Sequence, residues 1–152
     1  MLVNPLQETF EHNVLLIDCT ILIAILNIPV SEHIHTINGN VEEALELSRQ
    51  VQNYLSKDKI STIVSLAIEE MLVNIINTND NVETIDVIIR ENKDNILLSI
   101  KDTGTEFNPV VEKEDMKFDN ISVLNKISDN IDYSRVLGLN STVITINKSN
   151  TN

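Results

Sequence analysis

The chain has 152 residues, 42% hydrophobic and 3% aromatic, with a formal charge of −12 from 23 acids against 11 Lys and Arg. That length and apolar fraction suit one domain that buries its own core and exclude a disordered acidic tail. The charge excludes a broad nucleic-acid or anionic-membrane surface, and with only Gly39, Gly104 and Gly138 no phosphate loop or dinucleotide fingerprint can be written. Partners are therefore expected to be proteins or small molecules.

Residues 1–30 read as an N-terminal apolar arm or extra element. The run from Val14 to Val30 is broken by Asp18 and Asn27 and falls short of the roughly 20 apolar residues a membrane span needs. Its upstream flank, Gln7 to Glu11, is acidic where a signal peptide wants positive charge. No transmembrane segment and a cytoplasmic location are the expectation. Cys19, the single cysteine, reads as a packed core thiol. His33 and His35 can share one strand face, as a surface or pairing element.

Asn40 to Leu55 predicts a helix: Asn40 can cap it, Glu43 stands at the capping-box position, and Val41, Ala44, Leu45, Val51 and Leu55 recur at helical spacing. A second helix follows Lys57-Asp58-Lys59, with Ile60, Val64, Ala67, Ile68, Met71 and Ile75 on one stripe, ending near 77–81. Alternation at Ile85, Val87 and Ile89, the polar turn Asn92 to Asn95, and Ile96, Leu98 and Ile100 predict a hairpin. Residues 103–118 read as a long acidic loop and Asp119 to Ser128 as a short helix. Strands are expected at Ile131–Leu137 and Ser141–Lys148, joined by Gly138-Leu139-Asn140, with Arg135 a surface or interface group. This order describes an α+β fold: a two-layer sandwich with a mixed, mostly antiparallel sheet covered by helices on one face. One domain spans 31–148, with a tail at 149–152.

Three constellations can carry chemistry. On the second helix Glu70, Asn74 and Asn77 are spaced i, i+4, i+7, one polar stripe at the margin of the apolar face, while Glu69 is expected to point to solvent. A carboxylate and a carboxamide one turn apart can orient a water or ligate Mg²⁺. After the next hairpin stands Asp102-Thr103-Gly104-Thr105-Glu106-Phe107-Asn108-Pro109. A carboxylate at a strand end can accept from an exocyclic amine, Gly104 can let a flat ligand approach the backbone, and Phe107 can close the site. Thr142, opening the last strand, can share a partner or a water with Asp102.

A helix with E-E-x-x-x-N, a strand ending in D-x-G-x-x-F-N-P, a loop, a short helix and a closing S-T-V-I-T strand together resemble the GHKL (histidine-kinase-like) ATPase family, nearest its anti-sigma-factor or serine-kinase branch, over about residues 31–148. The resemblance implies an α/β sandwich holding ATP or ADP with Mg²⁺ between helices and sheet. By it, Asn74 is the metal-ligating asparagine and Glu70 the catalytic carboxylate. Asp102 binds the adenine amine, Gly104 packs beneath the ring and Thr142 supports Asp102, with Asn77 and Phe107 also at the site.

Phe118 to Leu124, where such proteins carry a glycine-bearing lid, has no glycine. The expectation is therefore a nucleotide-binding regulatory domain that controls a protein partner, with serine/threonine kinase-like or ATPase turnover weak or lost. The alternative is a non-catalytic interaction module without nucleotide, using the arm 14–30 or the helix 41–55 for homodimerisation or docking.

Overall fold

The computed structural model describes residues 31–55, 59–79, 82–108 and 120–151. The arm 1–30 with Cys19 and the segment 109–119 with Phe118 and Asp119 lie outside the described residues. In chain order the elements are β1 (Ser31–Asn38), α1 (Val41–Tyr54), α2 (Lys59–Thr78), β2 (Thr84–Glu91), β3 (Asn95–Asp102), α3 (Asn120–Ile127), β4 (Asn130–Val136) and β5 (Leu139–Asn147), followed by a 3₁₀ turn at Lys148–Thr151.

The five strands form one sheet of order β1-β2-β3-β5-β4, and all four neighbouring pairs are antiparallel. The α+β class with a mostly antiparallel sheet is the one predicted, and among the described residues every strand pair is antiparallel. Strand alternation decides which face is covered. Ile85, Val87, Ile89, Ile96, Leu98, Ile100, Ile144 and Ile146 are buried, and they join α1 and α2 in a single core. On the other face Glu32 pairs with Arg90 and Thr36 with Asp86 across β1 and β2. Two periodicities thus make two layers.

Asn40 caps α1 as expected, its Oδ1 accepting from Glu43 N–H at 2.8 Å. The Glu43 carboxylate reaches further back than a standard capping box: Oε2 accepts from Asn38 N–H at 2.7 Å, and Oε1 accepts from the Asn38 and Asn40 amides. Those bonds hold the carboxyl below its usual range and tie the helix start to the end of β1.

The helix α2 is long and apolar enough, with a mean hydropathy of 1.4 over its best window, to cross a membrane by composition alone. Here Val64, Ala67, Ile68, Met71, Leu72 and Ile75 lie in the core. Its flank differs from expectation at Glu69. The carboxylate accepts from Ser48 Oγ at 3.1 Å, and Ser48 and Ser65 are themselves 3.0 Å apart. Because α1 packs beside α2, a side chain pointing away from the sheet meets another helix before it meets water.

Strand β1 was signalled in the sequence only by the shared-face spacing of His33 and His35. Both stack on Tyr54 of α1, with ring centroids 4.2 and 5.8 Å away, and Tyr54 Oη lies 2.8 Å from His35 Nε2. Burial pushes the Tyr54 hydroxyl up to about 12. Burial, and then the neighbouring His33, hold the His35 ring below its ordinary value.

Candidate functional site

Strand β3 ends at Asp102, and the chain then leaves the sheet through Thr103 and Gly104. Asp102 is 4% exposed and Asn140, directly opposite on β5, is 2% exposed. A carboxylate this deep needs donors. Its Oδ1 accepts from Gly104 N–H at 2.9 Å and from Asn140 Nδ2 at 2.8 Å.

Asn140 is the hub of a wider network. Its Nδ2 also donates to Thr105 O at 2.9 Å, while its Oδ1 accepts from Tyr133 Oη at 2.8 Å and from Arg135 Nη1. Arg135 Nη1 donates in addition to Gly104 O at 3.0 Å. Both Tyr133 and Arg135 lie on β4 with the side-chain alternation that faces the helices. Arg135 therefore holds the loop after Asp102, where the sequence had it as a surface or interface group.

The sequence reading has Asn140 in the turn Gly138-Leu139-Asn140. The turn instead falls at Leu137 and Gly138, both at positive φ of 52° and 83°, a two-residue hairpin of the primed type. That shift brings Leu139 and Asn140 into β5. The signal that could have found Asn140 is its position two residues past Gly138, which sets the strand register.

A second asparagine missed in the sequence closes the other side. Asn79, just past the end of α2 and 5% exposed, accepts from Thr105 N–H at Oδ1 and donates from Nδ2 to Thr105 O at 3.4 Å. A Cβ placed on Gly104 would meet Asn79 Nδ2 at 2.6 Å and Val82 Cγ2 at 2.7 Å. Only glycine fits beneath this pair.

The remaining predicted residues sort clearly. Thr142 is buried on β5 but stands opposite Ile100, one rung in from Asp102; the β5 side chain that reaches the carboxylate is that of Asn140. Phe107 is 6% exposed and belongs to the hydrophobic core, so it anchors the loop after Gly104. On α2, Glu70 and Asn74 are half-buried and Asn77 is exposed, at the margin of the core. Asn74 Nδ2 donates to Glu70 O at 2.9 Å, which leaves the amide oxygen as the polar end directed away from that bond. Burial, and then the adjacent Glu69 charge, lift the Glu70 carboxyl above its ordinary range. The structure thus joins Asp102, Gly104, Asn140 and Arg135 directly, and Asn79 links that cluster to the α2 end that carries Asn74 and Asn77.

No protein-family model matches the sequence, and no curated protein matches it. Among solved structures, the Acinetobacter baumannii histidine kinase AdeS is similar at a TM-score of 0.42 and 14% identity, over 92% of this chain and 79% of that one.

Proposed function

We propose that this domain binds an adenine nucleotide, ATP or ADP with Mg²⁺, at the Asp102 end of the sheet, and that occupancy of the site controls a protein partner while phosphoryl transfer is slow or absent. The observation that carries the reading is the buried Asp102 carboxylate beside a side-chain-free Gly104. A buried carboxylate favours hydrogen-bond donors such as an exocyclic amine, and a glycine backbone can take a flat ring in the place that Asn79 and Val82 cover. The resemblance in the α2 stripe and the D-x-G segment supports the same assignment.

Asn74 has a neutral amide oxygen suited to a hard cation that keeps most of its waters. When bound, Mg²⁺ supplies neutralisation of phosphate charge. Glu70, with its raised carboxyl pKa, has the partial desolvation a general base uses. The absence of glycine from Phe118 to Leu124 deprives the phosphates of a close backbone cradle and supports slow or absent turnover.

Thermal unfolding with Mg-ADP, Mg-ATP and no nucleotide tests the reading. Ligand at a hundredfold above Kd stabilises by about 2.7 kcal/mol, and Asp102→Asn, which keeps an acceptor oxygen for Gly104 and Asn140, should abolish the gain. No shift at millimolar nucleotide would favour the second reading, an interaction module without nucleotide. The contact of Asn79 and Val82 with Gly104 is the observation that speaks for it.

A further inference from the structure

The space that glycine leaves at position 104 is filled by the chain itself. Asn79 and Val82 both lie against Gly104, and the Asn79 carboxamide engages both the N–H and the C=O of Thr105. A planar group with a donor beside an acceptor, seated on a glycine backbone, has the chemistry of an aminopurine edge. We infer that Asn79 is an internal competitor for the ligand of this site, seated against the cradle and leaving it when a purine ring binds.

Three features make the exchange feasible. Asn79 follows Thr78, the last residue of α2, so it lies past the end of the helix. Thr103, Thr105 and Thr78 are exposed, so a ring taking the place of the amide enters from solvent. The Asp102 carboxylate and Gly104 do not depend on Asn79 for their mutual hydrogen bond, so withdrawing the amide leaves that contact formed, with Val82 as the remaining wall over Gly104. An occupant present about nine-tenths of the time raises the apparent Kd about tenfold, and deleting it restores that factor.

This inference rests on the nucleotide reading above, and titration calorimetry separates the two. Mg-ADP is titrated into the full chain and into Asn79→Ala, with magnesium pyrophosphate, which has no ring, as control. The expected result is a Kd for Mg-ADP about tenfold lower in the variant, with pyrophosphate affinity unchanged. An equal or higher Kd in the variant overturns the role of Asn79 while nucleotide binding stands, as does a parallel gain for pyrophosphate. Absence of Mg-ADP binding in both proteins overturns the nucleotide reading and this inference with it. Should Asn79→Ala unfold, Asn79→Ser keeps a hydroxyl for the Thr105 N–H while removing the amide from Gly104, and the same outcomes apply to it.

Discussion

Replacing Asn140 by alanine removes a hydrogen-bond partner from five polar groups, of which Gly104 O, at 3.5 Å, is the most distant. Asp102 Oδ1 loses a 2.8 Å donor, Thr105 O a 2.9 Å donor, Tyr133 Oη its 2.8 Å acceptor, and Arg135 Nη1 one of its two acceptors. The bond to the carboxylate is charge-assisted and contributes about 1.5–3 kcal/mol, and the neutral bonds about 1 kcal/mol each. Because Arg135 and Thr105 have solvent or second partners and the terms share atoms, the sum falls to about 3–5 kcal/mol. Urea unfolding should show that loss as a lower midpoint with an unchanged slope. Asn140→Asp should cost at least as much, since it sets a second carboxylate against Asp102. A loss below about 1 kcal/mol for Asn140→Ala would refute the network as a source of stability.

Three further outcomes follow from local geometry. Leu137 is fully exposed, at 102%, and sits at a φ of 52°, so Leu137→Asn should stabilise the hairpin by about 0.5–1 kcal/mol, measured by urea unfolding, and a destabilised variant would contradict the turn. His35 has its folded pKa below the ordinary value of 6.5, so the unfolded chain protonates first and stability falls as pH drops from neutral through that range. His35→Gln, which does not titrate, should flatten that fall in unfolding midpoints between neutral and mildly acidic pH; an identical profile would refute the assignment. Glu70 has the opposite sign. Its raised pKa favours folding below the unfolded carboxylate pKa, and that contribution is lost as pH rises through the folded value. Glu70→Gln should therefore be more stable than wild type at neutral pH, with the advantage gone in acid, and no gain at neutral pH would contradict the desolvation at this position.

The elements with strong periodicity were legible in the sequence, and the residues between them were not. The helices α1 and α2 and the β2–β3 hairpin follow from stripes such as Ile60, Val64, Ala67 and Met71, because burial on one side is encoded residue by residue. Strand β1 is obscured because its covered face carries Ser31, His33 and His35 ahead of Ile37, and the two histidines stack on Tyr54 rather than joining an aliphatic core. Asp102 and Gly104 were identified as a pair from chain spacing, and their contact is local. The partners of that pair come from distant positions. Asn140 and Arg135 reach it only because the β4–β5 turn falls at Leu137-Gly138, and a leucine at positive φ is not a turn signal. Asn79 reads as a helix terminator, and its contact with Thr105 depends on how α2 docks over β3. The side chain of Glu69 departs from expectation for a related reason, since the wheel of one helix does not show that another helix lies on its flank.

The most direct test of nucleotide binding at Asp102 is a titration of isotope-labelled protein with Mg-ADP, following the backbone amides of Gly104 and Thr105 by NMR in wild type and in Asp102→Asn. Saturable shifts of those amides in wild type, absent from Asp102→Asn, are the predicted result. Unmoved amides at saturating Mg-ADP, or equal shifts in the Asp102→Asn protein, would contradict it.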